Sequence, residues 1–409
     1  MNKRNVVVGL DVGTSSIKAA LAEIVSPGTV NILGLSRQPS AGLRKGNIVD
    51  IETTARSIDS CLNELERLTG VEIQSAVCGF SGISITAVSN HAVIAVANPS
   101  YEITEEDKRR VLQLAQNIAL PPDKMIVQLI ERQYIVDGYD GVKDPVGMVG
   151  SRLEAEVLII IAAAAALQNL QRSADRINLY LERFIYSPIL MSEAVLMPAE
   201  KEMGVALVDL GGGTTEISVF QEGALLSTSV LPIGGDYITR DLAIVLRTSI
   251  EEAARIKEES AVAAIALANS EVMVNVRNIQ GNEIKQVSQH VIADIVAARV
   301  TEITEMIHAE LVQTAYFDKL PGGLVLSGGG AQLKGIAEVM ENYLNIPVRV
   351  GRPDNIRGLQ HEYNQPQNAV VLGCIGYAVL KAIPGLIEDN RRFSTVFSKI
   401  SYWFRDLFA

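Results

Sequence analysis

The sequence predicts an α/β protein built of two related halves around a cleft, with a small inserted α/β unit and an amphipathic C-terminal segment. Strand-like apolar runs alternate with runs of helical spacing, the pattern of sheets layered on helices. Two segments, VVGLDVGTSSIKAAL and VALVDLGGGTTEISV, share one plan: apolar strand, Asp, Gly turn, hydroxyl residues, apolar strand. Their Asp11 and Asp209 stand 198 positions apart, the spacing of a duplicated half-molecule. At 409 residues the chain is too long for one core and fits two to four units.

Val6–Leu10 reads as the first strand, Ile17–Glu23 as the second, and a third run lies near Val30–Leu35. Within Asp50–Leu68, Ile51, Ala55, Ile58, Leu62 and Leu65 recur at helical steps, and Val71–Val77 reads as another strand. From about Ser84 to Arg152 the texture changes. Thr104 followed by Glu105, Glu106 and Asp107 is an N-cap with an acidic first turn, opening a helix to about Ala119 that Pro121–Pro122 stops. Asp137–Ser151 is a Gly/Asp/Pro-rich loop, Val157–Ala164 an apolar strand, and a helix follows through Leu179. Val205–Leu210 and Ile217–Phe220 form the second strand–turn–strand. Residues from about Ile238 to Leu311 are mostly helical, with a short hairpin near Glu271–Glu283. Leu324–Leu326 is a buried strand running into Gly328, Gly329 and Gly330, a helix spans about Leu333–Leu344, and Pro384–Gly385 closes the globular part.

Apolar residues at 48% and charged residues at 20% describe a well-packed chain. A net charge of −11 argues against nucleic acid as a partner, because no basic domain collects phosphates. Cys61, Cys78 and Cys374 match no metal spacing and read as small buried residues of a reducing compartment. The N-terminal MNKRN runs straight into VVVGLDVG without a signal-peptide pattern. The longest apolar run, Val157 to Leu167, is about half of the ~20 residues that spanning a bilayer takes. The expected compartment is the cytoplasm.

In each copy of the repeated plan an Asp ends a strand and Gly residues let the backbone turn with open N–H groups (Gly13; Gly211, Gly212, Gly213). Thr14, Ser15 and Ser16, and Thr214 and Thr215, then supply hydroxyls. Such a turn wraps phosphate oxygens. Asp11 and Asp209, facing each other, suit Mg²⁺, which is held by one or two carboxylates plus phosphates and keeps its other waters. Lys18 adds a point charge. The third element, LVLSGGGAQLKGI, offers bare backbone at Gly328, Gly329 and Gly330 beside a helix N-terminus. One Gly-rich turn is more often just a turn, and one Asp an ordinary turn carboxylate. Three in order, two of them Asp-led, point to a nucleotide. The rival GxxxxGK[ST] loop is absent from the sequence, and no GxGxxG turn follows the first strand.

These motifs resemble the actin, heat-shock-70 chaperone and sugar-kinase superfamily. Within it, the chain is similar end to end to the FtsA family of bacterial cell-division proteins, through GLDVGTSSIK, AVCGFSGISI, MSEAVL, VDLGGGTTE, GGDYITRDLA, LVLSGGGAQLKGI and GCIGYAVL. The resemblance implies an actin-like two-lobed fold of duplicated ribonuclease-H-like domains around ATP and Mg²⁺. Subdomain 1A would hold residues 1–83 and 165–200, the family's inserted subdomain 1C 84–164, 2A 201–237 and 312–383 (the latter with the return to 1A), and 2B 238–311. It further implies Gly235 and Lys257 at the nucleotide, but the Glu that pairs with this Lys in the superfamily is Ala254 here. Asp209 and Glu193 are the candidates for positioning an attacking water, Glu193 being equally a connector-helix residue, and slow or negligible turnover is expected. Filaments would form through 1C. The C-terminal peptide of the tubulin-like protein FtsZ would dock at 2B, with Arg299 as a candidate grip, and later division proteins of the membrane would be further partners.

The last 17 residues, FSTVFSKISYWFRDLFA, follow a linker at 384–392 whose extended reach is roughly 30 Å. Phe393, Val396, Phe397, Ile400, Trp403, Phe404, Leu407 and Phe408 line one side of a helix of ~25 Å. Arg391, Arg392, Lys399 and Arg405 against Asp406 make this end basic within an acidic chain. That combination suits an anionic phospholipid surface, with the helix lying in the interface plane; the family resemblance implies that this surface is the cytoplasmic face of the inner membrane, at the septum. A helix packed on its own domain or on a partner protein is the competing reading. At the level of function, the alternatives are an FtsA-like pilus-assembly ATP-binding protein, which has no need of its own anchor, and a small-molecule kinase, for which neither a sugar cleft nor a base is identifiable.

Overall fold

The computed structural model describes residues 6–26, 28–98, 100–314 and 316–382; the linker and the amphipathic tail lie outside the described residues. The first lobe opens with β1 (Val6–Val12), β2 (Ser16–Ser26) and β3 (Thr29–Pro39). A small hairpin of β4 (Leu43–Arg44) and β5 (Asn47–Ile48), α1 (Ile51–Thr69) and β6 (Ser75–Phe80) follow. Helix α1 starts where Asp50 accepts from the Thr53 amide and stops at the left-handed Gly70, with Ala55, Ile58, Leu62 and Leu65 buried as their spacing requires.

An inserted unit then runs through β7 (Thr86–Ala95), α2 (Glu105–Ala115), β8 (Lys124–Val136), β9 (Tyr139–Val142) and β10 (Arg152–Ala163). Its antiparallel sheet has the order β7-β10-β8-β9. Thr104 caps α2 reciprocally with Asp107. The helix ends at Ala115, earlier than Ala119: beyond Gln116 the chain drops Ile118 and Leu120 onto the insertion's own core. β10 explains the long apolar run, since Val157, Ile159 and Ile161 face that core while Leu158, Ile160 and Ala162 face the first lobe. A strand buried on both faces loses its polar alternation.

The chain returns through α3 (Ala164–Asp175), β11 (Tyr180–Tyr186), α4 (Ser187–Val195) and α5 (Pro198–Met203). β11, which the apolar pattern did not mark, completes the sheet β11-β6-β1-β2-β3; β2 is antiparallel to both β1 and β3, and β6 is parallel to both β1 and β11.

The second lobe comprises β12 (Val205–Leu210), β13 (Thr215–Gln221), β14 (Ala224–Leu231), α6 (Gly235–Leu246) and α7 (Ile250–Ser260). The hairpin β15 (Met273–Arg277) and β16 (Ile284–Ser288), α8 (Gln289–Gln313), β17 (Leu324–Ser327), α9 (Ile336–Leu344) and β18 (Val348–Val350) complete it. Its sheet, β18-β17-β12-β13-β14, repeats the first strand for strand in order and direction. The duplication read from two turns therefore extends to two whole sheets. Along β12, Ala206, Val208 and Leu210 pack on this lobe's helices while Val205 and Leu207 join the first lobe's core, the period-two division of a strand buried on both faces. α10 (Ala369–Ala382) crosses back to pack on α4 and β1. Cys61, Cys78 and Cys374 are free and buried.

Candidate functional site

The two Asp-led turns close in the same way. The Gly13 amide donates to the Ser16 carbonyl at 3.2 Å, and the Gly211 amide to the Thr214 carbonyl at 3.0 Å. The turns also meet across the lobes. A Cβ on Gly213 would sit 2.8 Å from Thr14 Oγ1, and one on Gly212 would strike Ser15 Oγ, so these positions admit only hydrogen. Ser15 Oγ donates to Asp236 Oδ1 at 2.8 Å, and the Gly235 and Asp236 amides dock α6 onto the Gly211 and Gly212 carbonyls. Thr215 faces inward: fully buried, it donates to the Ile233 carbonyl at 2.8 Å and braces the turn. Ser16 and Thr214 are buried as well.

At the seam of the turns the carboxylates gather. Asp11 accepts from Lys18 Nζ at 2.8 Å, both side chains mostly buried and directly paired across β1 and β2. Asp209 is half-buried, and desolvation of its carboxyl first, then the charge of Asp11, push it up to about 7 against the pull of Lys18. Glu216, paired with Asp209 across β12 and β13, is pushed up to about 8 by burial and then by Asp209. Ser81 Oγ of the first lobe donates to Glu216 Oε1, while Oε2 is buried with no partner among the described residues. Behind it, Tyr186 OH meets Thr228 Oγ1 at 2.6 Å and Ser218 Oγ meets the same hydroxyl at 2.7 Å, a polar bridge between the lobes.

Gly328, with φ +84, approaches Asp209 so closely that a Cβ would hit its Oδ1, and a Cβ on Gly330 would hit Leu210. Gly329 alone has open space beside it. Lys257 is half-buried and donates to the Gly235 carbonyl (3.2 Å) and Thr239 Oγ1 (2.8 Å); desolvation lowers its pKa. It thus anchors α7 to α6 at the edge of the second turn.

Two sequence candidates lie elsewhere. Glu193 pairs with Lys201 at 2.7 Å, where α4 meets α5, and does not join the acidic seam. Arg299 is no free cation: its guanidinium holds Asp241 at 2.6 and 3.0 Å, pairs with Glu302, and lies 5.6 Å from the Tyr237 ring. Glu216 stands inside the VDLGGGTTE motif but is not among the residues that the sequence pattern singles out. Aligning the two copies would have exposed it, because it occupies the register position of Lys18. Among the described residues no group of three or more His, Cys, Asp or Glu side chains is arranged to hold a metal by itself.

Two matching sheets with their Asp-led turns face to face define the actin-like class of two-lobed proteins. Solved structures agree on the fold. One described as a "PilM-PilN type IV pilus biogenesis complex" superposes with TM-score 0.65 at 17% identity, covering 91% of this chain and 98% of that one. MreB 5 of Spiroplasma citri bound to AMPPNP superposes with TM-score 0.54 at 13% identity, covering 93% and 100%. The family model for "Cell division protein FtsA" matches residues 206–373, and that for the "SHS2 domain inserted in FTSA" matches residues 82–161, which is the inserted unit. Cell division protein FtsA of Bacillus subtilis is 39% identical over 93% of this chain and 85% of its own length. That of Pseudomonas aeruginosa is 35% identical over 93% and 91%. The chain belongs to the FtsA family of cell division proteins.

Proposed function

We propose that the protein is an ATP-binding actin homologue that polymerises on the cytoplasmic face of the inner membrane and tethers the FtsZ ring to it at the division septum. The observation that carries the nucleotide part is the acidic seam. Two Asp-led turns and a buried, unpartnered Glu216 oxygen gather carboxyl groups, which a cation would ionise, where the glycine backbones of both lobes converge. That donor set fits a Mg²⁺ held by Asp11 and Asp209 with phosphates and waters completing its shell. Gly13–Ser16 and Gly211–Thr214 would take the phosphates and the open side of Gly329 the adenosine, with Gly235 and Lys257 at the rim. The bound ion would supply charge neutralisation. Nucleotide then acts mainly on lobe closure, since Ser15 to Asp236 and Ser81 to Glu216 already cross between lobes, and turnover is slow.

The basic, aromatic tail would hold anionic phospholipid, the inserted unit would join subunits into filaments and receive later division proteins of the membrane, and the 238–311 region would receive the FtsZ peptide. Because Asp241 and Glu302 occupy Arg299, an acidic peptide would compete with them for it. The test is sedimentation with anionic liposomes and ATP, comparing the full chain with one truncated after Asn390. The full chain should pellet and the truncation stay in solution. If neither pellets, the tail serves a protein partner, and the pilus-type reading, supported by the fold likeness to the PilM-PilN structure, replaces the tether.

A further inference from the structure

Beside the acidic seam lies a pocket of opposite charge. Its volume is about 160 Å³, and it sits between the lobes, with Thr14 and Gly213 of the two turns in its wall. The first lobe contributes Arg44 and Lys45 from the β4–β5 hairpin, and the second contributes Asp236, Tyr237 and Arg240 from the first turns of α6. Three cations therefore face one carboxylate, and Asp236 is already engaged by Ser15 at 2.8 and 3.0 Å. Lys45 Nζ lies 6.0 Å from the Tyr237 ring centre and the Arg240 guanidinium carbon 5.4 Å from it, so cations of both lobes converge on one ring. Arg299, the third cation on that ring, is neutralised by Asp241 and Glu302, whereas no carboxylate among the described residues pairs with Arg44, Lys45 or Arg240.

The hairpin is built to hold Lys45 there. Lys45 and Gly46 both take left-handed conformations (φ +51 and +75), the geometry of a two-residue turn in which Asn or Gly is the comfortable first residue. A lysine in that place carries a backbone cost, and what it gains is reach across the cleft to Tyr237. The Gly46 amide donates to Thr14 Oγ1 at 2.9 Å, which ties the hairpin tip to the first turn.

We propose that this pocket binds a phosphate-type oxyanion, gripped by Lys45 and Arg44 from one lobe and by Arg240 from the other. Converging like charges repel, and a multivalent oxyanion with charge-assisted bonds to each relieves that repulsion and draws the lobes together. The inference rests on the nucleotide reading of the neighbouring cleft. Its anion comes either from the terminal phosphate of a bound nucleotide or from free inorganic phosphate.

The experiment measures, by calorimetry on the full chain, the affinities for ADP, for a non-hydrolysable ATP analogue, and for inorganic phosphate with ADP present. The variants are Lys45→Asn with Arg240→Gln, where Asn keeps the left-handed turn, and Arg240→Gln alone, which leaves the hairpin untouched. ADP affinity should stay within about twofold in both, which also reports correct folding. A fall of about tenfold in the preference for the ATP analogue over ADP assigns the pocket to the terminal phosphate. A similar loss of inorganic phosphate binding, with that preference unchanged, assigns it to free phosphate. The proposal is overturned if neither quantity moves in the double variant. Should the unaltered chain bind neither nucleotide, the nucleotide reading fails by itself, and phosphate binding lost in the double variant would still sustain the pocket.

Discussion

The two copies of the Asp-led hairpin have the same strands, the same turn closure and opposite charge at one register position. In the first lobe the residue facing Asp11 across the hairpin is Lys18, in ion-pair contact at 2.8 Å. In the second lobe the residue facing Asp209 is Glu216. One copy therefore neutralises its acid within its own hairpin, and the other adds a second acid to it. Duplication supplied the geometry, and the charge at this single position decides which half seeks an external cation. Lys18 serves both halves, since its field lowers the Asp209 carboxyl that Asp11 raises.

The largest effect should come from removing that shared cation. In Lys18→Met, Asp11, Asp209 and Glu216 would form a buried acidic group without an internal counter-charge. Breaking a mostly buried pair from one side costs about 3 kcal/mol. The deficit, read from urea unfolding of the nucleotide-free chain, should be greatest at pH 8 and shrink toward pH 5 as the carboxyls take up protons. A variant as stable as its parent at pH 8 would remove Lys18 from the account of the seam.

Glu216→Gln sharpens the comparison from the other side. The Glu216 pKa is raised on folding from 4.5 to about 8, so its favourable contribution is complete below 4.5 and is lost as pH rises through about 8; Asp209 acts likewise between 3.8 and about 7. The unaltered chain should therefore lose stability across this window. The substituted amide cannot ionise, and its oxygen still accepts from Ser81, so the variant should lose less and exceed its parent by about 2 kcal/mol at pH 8. Mg²⁺ with ATP should release protons on binding at pH 7, and the variant fewer of them, as calorimetry in two buffers of different ionisation heat would show. Equal slopes with pH would mean that Glu216 is ionised already in the free chain.

The turns were legible in the sequence because a sharp, closely packed turn permits few residue types, and those types sit at fixed offsets from an Asp. The helix at 51–69 was legible because one apolar stripe at helical steps defines it, and the cap by Asp50 is added by the structure. β11 escaped because exposed Tyr180 and Glu182 interrupt its apolar pattern, and only pairing with β6 makes it a strand. The hairpin expected near 271–283 lies at 273–288, since Asn278 accepts from the Asn282 and Glu283 amides and so builds a longer loop between the strands. Glu216 was hidden in plain view: its role depends on which residue it faces across a hairpin, and motif spelling does not carry register. The partners of Arg299 were invisible for the same reason, because Asp241 lies 58 residues away on another helix.

The smallest structural effect belongs to Gly329→Ala, and it separates packing from binding at the third turn. The flanking glycines are required by the fold. Ala at Gly328 would need a left-handed backbone and would collide with Asp209, and Ala at Gly330 would collide with Leu210, so either change should cost about 2 kcal/mol or more. A methyl on Gly329 meets nothing within 4 Å, so stability should hold within about 0.5 kcal/mol. If the nucleotide lies against this turn, the same methyl occupies its space, and affinity for ATP and ADP should fall together by about tenfold, or 1.4 kcal/mol. A stable variant with undiminished affinity would move the adenosine away from the triple glycine while leaving the acidic seam, and with it the phosphate end of the site, intact.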